Sequence, residues 1–502
     1  MTAWLPLLLG VPALGALALA VLPLADRMAT RVALVASAAT VGIAVAVAAR
    51  FPYGHASRFA DSVDKQWLPG VDVRFHLGVD GISLPLVLLT ALLTLLCVVY
   101  TISVVPEGGR LRLLLSLTLL LEVGMLGTFV ALDLVLFFVF FEVVLIPMYF
   151  LIAVWGGAGR GPAATKFILF TLFGSGLMLV AFLLLYAGTG TFDMAALSRN
   201  HGHGLGHSTQ VFAFVLLLLG FGVKSPMWPL HTWLPDAHTE APTIGSVLLA
   251  GVLLKMGTYG FVRIAIPDLP SGARDVAPAL GILAVVGIIY ACLACLGLAT
   301  SGAADLKRLI AFSSVGHMGF VLLGIATLTP VGIQGALIGN IAHGVITGLL
   351  FFLVGGMKDR FHTSTFADLG GGLLAKVPAL GGLTVFAAIA SLGLPGLAGF
   401  WGEMLAMLGS YRPDAALSRP LFVTLMAVAG LGTVLTAVYF LAMLRRITFG
   451  VVADRWRDQP LRDVLATDAV AWVPLTVLAV GIGVWPKLVL GVSDAAVRGL
   501  LR

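Results

Sequence analysis

Long uninterrupted runs of apolar residues alternate with short polar segments along almost the whole chain. Most runs are about 20 to 25 residues long, which is the length an α-helix needs to cross a hydrocarbon core about 30 Å thick. The pattern therefore predicts about fourteen membrane-spanning helices, over residues 2–23, 31–49, 80–105, 111–132, 134–155, 165–188, 209–229, 243–266, 276–300, 308–327, 332–356, 378–411, 419–444 and 469–490.

Two of these runs contain helix-breaking residues beside a charged one. The first reads Lys224-Ser-Pro226-Met-Trp-Pro229, and the second extends over 391–403, from Ser391 through several glycines and a proline to Glu403. Proline lacks an N–H and clashes with the preceding turn, so each run is expected to break. Non-helical backbone at membrane depth persists only where it is buried in protein or faces water. The two breaks therefore predict two polar sites inside the membrane.

The breaks fall at corresponding places in the chain. Each lies in the fourth member of a group of five predicted helices, and interrupted helices at matching positions are typical of internally repeated transporters. We predict an all-α polytopic membrane protein with two inverted five-helix repeats, each containing a broken helix. The divisions are 1–110 for three N-terminal helices, 111–266 and 276–444 for the repeats, and 445–502 for a C-terminal helix. The alternative is that glycine and proline are simply common in membrane helices.

Composition excludes an ordinary soluble protein. Hydrophobic residues make up 59% of the 502 positions and charged residues 11%, against roughly a quarter in soluble domains. The first apolar run lacks a preceding positive segment, so we expect a retained helix rather than a signal peptide. The net charge of +6 is spread over loops, which indicates control of topology and no nucleic-acid binding.

The distribution of basic residues predicts the orientation. With the N-terminus outside, the inner loops hold about 16 basic residues and the outer loops and tail about 12, or about 8 without the long 50–79 loop. We therefore expect a bacterial inner (plasma) membrane protein with both termini on the periplasmic side. Cys97, Cys292 and Cys295 lie within apolar runs with no neighbouring ligands, so we interpret them as small buried residues, not a metal site.

Seven ionisable residues lie inside predicted spans, where a charge at the membrane centre costs at least about 2.5–3.5 kcal/mol. Such residues are expected to have a function, and a buried lysine, unlike arginine, can release its proton. Of the 30 basic residues eight are lysines, and two of these lie in spans. The candidates for proton translocation are Glu122, Glu142, Lys224, Lys255, His317, His343 and Glu403.

Each candidate also has a purely structural interpretation. Glu122 and Glu142 could each form half of a buried ion pair, and Lys224 could bind carbonyls freed at its helix break. The two histidines could be core residues, and Glu403, near the end of its span, could reach headgroup water. The number of such residues favours function over these alternatives.

Three stretches resemble the antiporter-like subunits of respiratory complex I, the NADH:quinone oxidoreductase. They are 137–149, 224–238 and 305–319, beginning Phe137-Phe-Val-Phe-Phe-Glu142, Lys224-Ser-Pro226-Met-Trp-Pro229 and Asp305-Leu-Lys307-Arg308. Subunits of multi-subunit Mrp-type antiporters and membrane-bound hydrogenases share these motifs. The glutamate at Glu403, where relatives usually carry lysine, resembles the M-type branch of the complex I family, as does Glu122.

The resemblance implies a role for each candidate. Glu142 and Lys224 would be the pair at the input side, Lys255 the central proton-relay lysine, and Glu403 the terminal exchange residue. His317 and His343 would carry a hydrated path between them, while Asp305, Lys307 and Arg308 would be structural or surface-exposed. The implied function is proton pumping coupled to electron transfer from NADH to quinone in other subunits.

The same resemblance implies the partners. The chain would hold no cofactor; FMN, iron–sulfur clusters and quinone would belong to partner subunits, and L-type and N-type membrane-arm subunits would be its neighbours in the bilayer. Three other functions stay open: a subunit of an Mrp-type cation/proton antiporter, a subunit of a membrane-bound hydrogenase complex, and an arm subunit needed for assembly but not for translocation.

Overall fold

The fold is a bundle of long apolar helices with one small β-hairpin. The computed structural model describes residues 4–53, 59–106, 108–301 and 303–501. The helices are α1 Trp4–Val21, α2 Asp26–Arg50, α3 Leu84–Tyr100, α4 Leu111–Val130, α5 Leu134–Val143, α6 Leu145–Trp155, α7 Arg160–Thr189, α8 Met194–Asn200, α9 His207–Lys224, α10 Trp233–Glu240, α11 Thr243–Leu248, α12 Leu254–Gly260, α13 Ile266–Asp268, α14 Pro270–Thr300, α15 Leu306–Ala326, α16 Pro330–Phe361, α17 Phe366–Leu369, α18 Leu373–Lys376, α19 Pro378–Ala390, α20 Ala398–Tyr411, α21 Arg419–Ile447, α22 Asp454–Arg457, α23 Ala466–Val484 and α24 Lys487–Leu500.

The predicted class, an all-α polytopic membrane protein, is confirmed. Among the described residues, twelve helical segments are long and apolar enough to span a membrane, and α3 and α19 are shorter apolar helices. Each of the fourteen predicted segments contains helix. How many of them cross the membrane stays a prediction, and so do the inverted repeats and the division at 111–266 and 276–444.

Burial separates a central layer of helices from a lipid-facing one. The segment α11–α13 is surrounded by protein along its whole length, and α15 and α16 are nearly so. By contrast only about a third of the positions in α1, α2, α21 and α23 are buried, as expected for helices whose outer faces meet lipid chains. Lys255, His317 and His343 therefore lie on the helices that are most enclosed by protein.

A hairpin stands where the sequence predicts only a polar loop. Strands β1 (Ala60–Leu68) and β2 (Val73–Val79) pair antiparallel, with Val63 opposite Leu77. The inward face of β2 is buried, and the N–H of Leu132 donates to the carbonyl of His76 at 2.9 Å. The loop is therefore ordered by packing on the helix ends, a tertiary contact that its own polar pattern does not reveal.

Both predicted helix breaks are present. Helix α9 ends at Lys224 and the chain is non-helical until α10 begins at Trp233, with a cis peptide bond before Pro229. Helices α19 and α20 are separated by residues 391–397, where Gly393 (φ 70°) and Gly396 (φ 91°) take a left-handed conformation that other residues rarely adopt. The prolines and glycines thus end the helices where the sequence predicts.

Three further irregularities are not predicted. A one-residue kink at Val144 separates α5 from α6. Two wide π-helical turns, Leu249–Leu253 and Phe261–Ala265, flank α12 within an otherwise continuous segment. Single π turns of this kind occur frequently at functional sites, and these two bracket the segment that carries Lys255.

Candidate proton-translocation site

Glu142 and Lys224 lie near each other but form no ion pair. Lys224 ends α9, and its amine is 4.7 Å from the centre of the Phe141 ring, on which it can make a cation–π contact. Among the described residues the amine donates no hydrogen bond, and Glu142 Oε1 accepts none. Glu142 follows Phe141 directly in α5, so the lysine lies beside the helix that carries the glutamate. The predicted input pair is therefore present as neighbours with an aromatic ring beside the lysine.

The break after Lys224 packs directly on the helix that carries Lys255. A Cβ on Gly257 would lie 2.3 Å from the Ser225 hydroxyl and 2.6 Å from the Phe221 carbonyl, so only glycine lets the two backbones approach this closely. Ser225 is fully buried, and no described residue hydrogen-bonds its hydroxyl. The Ser225 side chain and the Phe221 carbonyl thus contact α12 directly at Gly257.

Lys255 is fully buried at the centre of the bundle. Its amine donates to the carbonyl of Ala250, in the first π turn, and lies 2.6 Å from Nδ1 of His343 on α16. The π turn accounts for the first contact, because its wider hydrogen-bond pattern leaves carbonyls without the usual α-helical donors. Lys255 and His343, selected separately from the sequence, are therefore direct partners.

His343 continues towards Glu403 through His317. The rings of His343 and His317 are 5.9 Å apart between centroids, and His317 Nδ1 is 3.2 Å from Glu403 Oε1. The other oxygen of Glu403 accepts a hydrogen bond of 3.0 Å from Thr433. Glu403 is buried, not exposed to headgroup water. Lys255, His343, His317 and Glu403 form one row, which we call the central row.

Glycine contact between helices brings Glu403 into this row. A Cβ on Gly402 would lie 2.6 Å from the Cα of Gly339, so α20 and α16 touch backbone to backbone beside Glu403. Small residues at such crossings are the usual means of close helix packing in membranes. The second break, immediately before α20, lets Gly393 lie against the same carboxylate.

A small cavity lies between the two histidines and Glu403 of the central row. Its volume is about 30 Å³, and a cavity needs roughly 10–15 Å³ to hold one water. His317 and His343 line it, and their Nε2 atoms have no hydrogen-bond partner among the described residues. The lining residues are His317, Phe320, Val321, Gly339, Ala342, His343, Ile346, Thr347, Ser391, Gly399, Gly402 and Glu403. There is room for one or two waters between the two histidines and the carboxylate.

Glu122 lies outside the central row. It is fully buried on α4, and neither carboxylate oxygen has a hydrogen-bond partner among the described residues. It forms no part of the described ion pairs, so the ion-pair alternative finds no support for this residue. Its role in translocation stays a prediction.

The remaining predicted residues have structural contacts. The three cysteines are free and buried, as predicted. Asp305 begins α15 by accepting the N–H of Lys307, and Arg308 pairs with Asp236 at 3.3 Å near the surface. Lys307, however, is buried, and its amine donates to the Ala241 carbonyl at 2.7 Å. Within the described ranges, no group of three or more histidines, cysteines and acids could hold a metal.

Sequence reasoning missed four buried polar residues. Asp80 and Arg263 form an ion pair of 2.5 Å at the end of the bundle that carries the hairpin, and Asp268 is buried nearby with both oxygens unpaired in the described structure. Each lies at the edge of an apolar run, where a charge normally reaches water. His238, on α10, is fully buried. It is the last residue of the 224–238 motif, and its place in that motif is the sequence feature that could have identified it.

Comparison with known proteins identifies the family. The sequence profile of the NADH:quinone oxidoreductase/Mrp antiporter transmembrane family matches residues 131–436, more than half of the chain. The chain belongs to this family. It is 40% identical over 491 residues to NADH-quinone oxidoreductase subunit M of Rhodobacter capsulatus, covering 96% of this chain and 92% of that one. Likewise, it is 38% identical to NAD(P)H-quinone oxidoreductase chain 4 1 of a Nostoc species, covering 98% and 90%.

Solved structures of chains from other membrane complexes have the same fold. A chain of respiratory complex I from Thermus thermophilus with bound NADH superposes with a TM-score of 0.86 at 31% identity, with 99% of each chain covered. A chain of the Mrp complex from a Dietzia species gives a TM-score of 0.85 at 22% identity, covering 100% of this chain and 98% of that one, which shows a common fold. The resemblance found in the motifs is confirmed over nearly the whole length, and these relatives are of the M type that the sequence indicates.

Proposed function

We propose that this chain translocates protons as a membrane-arm subunit of a proton-pumping NADH:quinone oxidoreductase. The observation that carries the proposal is the central row, in which Lys255 contacts His343 and a water-sized cavity joins the two histidines to Glu403. A buried lysine beside an imidazole, followed by hydrated groups and a carboxylate, is a sequence of proton carriers. Its relatives of known name are subunits of such complexes.

In the proposed mechanism, quinone chemistry elsewhere in the complex changes the distance between the charges of Glu142 and Lys224. When Lys224 is unpaired, its charge disfavours a second buried cation on Lys255. Lys255 then passes its proton to His343, and the cavity waters and His317 carry it to Glu403 for release. Moving one charge against about 180 mV costs about 4 kcal/mol, which is within reach of making and breaking one buried charge contact.

The proposed partners follow from the same assignment. FMN, the iron–sulfur clusters and the quinone site belong to other subunits, and L-type and N-type subunits flank this chain in the bilayer. The proposed location is the bacterial inner membrane with both termini outside. Glu122 is retained as a candidate proton carrier because a buried, unpaired carboxyl can hold a proton.

The test uses inside-out membrane vesicles with wild-type chain or the Glu142→Gln variant. NADH-driven quinone reduction and acidification of the vesicle lumen are followed together, with Asp494→Asn, a surface carboxylate paired with Arg498, as the matched control. The proposal predicts that lumen acidification is lost in Glu142→Gln and kept in Asp494→Asn, with both variant chains assembled into the complex. Normal acidification in Glu142→Gln would contradict it.

The second candidate is a subunit of a monovalent cation/proton antiporter, which the similarity of fold to the Mrp complex favours. The distinguishing residue is Glu403, where antiporters of this superfamily usually carry lysine. The same vesicles decide between the two: cation-driven proton exchange that fails in Glu142→Gln, with NADH-driven pumping untouched, would support the antiporter. Membership of a hydrogenase complex or an assembly role without translocation predicts loss of neither signal in this variant.

A further inference from the structure

The threonine hydroxyls of α21 have two kinds of hydrogen-bond partner. Thr424 and Thr436 each donate to the carbonyl of the residue four positions earlier, at 3.0 Å. This is the usual hydrogen bond of a threonine inside a helix. Thr433, on the same helix, instead donates to Oε2 of Glu403 on α20, also at 3.0 Å. One hydroxyl of α21 therefore serves the last carboxylate of the central row.

The two oxygens of Glu403 have different partners. Oε1 lies 3.2 Å from Nδ1 of His317, and Oε2 accepts the hydrogen bond from Thr433. In the part of the chain that the structure describes, the carboxylate has no other hydrogen bond. The last bond of a glutamate side chain rotates with little preference, so an oxygen that is held by a partner fixes the plane of the group. Thr433 therefore decides which oxygen faces the histidine.

Thr433 lies between the central row and the outer face of the bundle. It is partly buried, whereas its neighbours Leu431 and Val434 are exposed. Gly432 keeps α21 close to α14, because a Cβ there would lie 2.3 Å from the Ile288 side chain. Lipid chains cannot donate hydrogen bonds, so a donor on this side of the carboxylate has to come from protein. The Thr433 hydroxyl supplies it.

The charge of the acceptor decides how strong this hydrogen bond is. A hydroxyl bonds an ionised carboxylate more strongly than a neutral carboxyl group. A hydrogen bond to the charged form favours that form. In the proposed mechanism, the ionised form of Glu403 is the one that can accept a proton from His317. The Thr433 hydroxyl thus stabilises the state of Glu403 that is ready to receive a proton.

We propose that Thr433 is a positioning residue for proton exchange at Glu403, which it holds through Oε2 so that Oε1 faces His317. This inference rests on the proposed function. In the exchange, an N–H bond of the protonated histidine breaks and an O–H bond forms at Oε1, which leaves a neutral imidazole and a neutral carboxyl group. The Thr433 hydroxyl keeps its own proton throughout. Release of the proton from Glu403 restores the strong hydrogen bond.

The alternative is that the threonine only fills space between two helices. Thr433→Val tests this, because valine has the same shape and replaces the hydroxyl by a methyl group. Thr433→Ser does the opposite, since it keeps the donor and removes the methyl group. A space-filling role predicts that valine is tolerated better than serine. A positioning role predicts that serine is tolerated better than valine.

The first measurement is NADH-driven lumen acidification by the complete complex in inside-out vesicles. Acidification should fall about ten-fold in Thr433→Val, as expected for loss of one hydrogen bond to a charged group, and Thr433→Ser should recover most of the rate. The matched control is Thr424→Val, the same substitution on the same helix, where the hydroxyl bonds only the backbone of α21. Wild-type acidification by an assembled Thr433→Val complex overturns the positioning role.

The second measurement reads the protonation of Glu403 directly and needs no turnover. Dicyclohexylcarbodiimide is an apolar reagent that adds to protonated carboxyl groups, and mass spectrometry of the peptides locates the adduct. The labelled fraction of Glu403 should rise in Thr433→Val and return towards the wild-type value in Thr433→Ser. Glu122, buried on α4 outside the central row, is the internal reference. Equal labelling of Glu403 in wild type and Thr433→Val contradicts the inference, because a space-filling residue would leave it unchanged.

Glu403→Gln separates this inference from the proposed function. Normal acidification by that variant, assembled into the complex, refutes the proposed use of Glu403 in proton translocation. Loss of acidification in Glu403→Gln, beside wild-type acidification and labelling in Thr433→Val, refutes only the positioning role. Loss in both, with recovery by Thr433→Ser, supports both.

Discussion

Removing the charge of Asp80 should destabilise the chain more than any comparable surface change. Asp80→Asn keeps a side-chain oxygen for the N–H groups of Ile82 and Ser83, which Asp80 Oδ1 accepts at 3.0 and 3.1 Å. It removes only the negative charge that faces Arg263 at 2.5 Å, in a pair whose side chains are 3% and 8% exposed. Leaving one partner of such a pair buried and unneutralised costs about 3–5 kcal/mol.

The measurement is the free energy of unfolding of the purified chain in mixed micelles, from a denaturant titration followed by tryptophan fluorescence. Asp494→Asn provides the control, because Asp494 and Arg498 form an exposed pair of 2.9 Å worth less than about 1 kcal/mol. Asp80→Asn combined with Arg263→Met should recover most of the loss, since no buried charge remains. Equal, small effects of Asp80→Asn and Asp494→Asn would refute the reasoning.

Three other outcomes are expected. Gly402→Val should slow pumping without abolishing assembly, because its Cβ would meet the Gly339 Cα at 2.6 Å and push Glu403 away from the histidines; lumen acidification measures this. Burial raises the pKa of Asp193, but hydrogen bonds from His76 and the Ala196 N–H outweigh it and leave that pKa lowered. The ionised carboxylate therefore stabilises the fold at pH values above the usual aspartate pKa, and this stabilisation disappears as the pH falls through the lowered pKa of Asp193. Asp193→Asn should thus lower the thermal unfolding temperature at neutral pH and change it little in acid, as thermal unfolding measured across pH would show. All three cysteines should resist maleimide in the folded chain and react after unfolding, as mass spectrometry would show.

The chemistry-bearing residues of the central row could be found from sequence because each interrupts an apolar run. Lys255 and His343 lie 88 positions apart, and nothing local predicts that their side chains meet at 2.6 Å. Burying an ionisable residue inside a membrane is energetically costly, and for this reason the sequence alone indicates that both residues have a function. The partner of each depends on which helices cross, and for Glu403 that crossing is decided by Gly402, one glycine among 60.

The misses share a physical cause. The hairpin at residues 60–79 has a mostly polar sequence and is ordered by the helix ends on which it packs. No hydrophobic periodicity in the sequence therefore predicts it. Asp80 and Arg263 stand at the margins of apolar runs, where burial depends on neighbours from distant parts of the chain. Whether Glu142 and Lys224 touch could not be predicted from the sequence, because they lie on different helices and charges that separate and rejoin during a cycle need not touch in one structure.

The direction in which the Lys255 side chain points depends on how many residues the π turns on either side of it contain. A π turn holds one residue more than the α-helical turn it replaces, as though a single amino acid had been inserted into a regular helix. Deleting one residue from Leu249–Leu253 would restore regular winding and rotate everything that follows by about 100° relative to what precedes it. Lys255 would then point away from His343 with its own sequence surroundings intact. The length of this buried segment is therefore constrained as tightly as its composition, in which Gly251 has no room for a Cβ beside Leu93.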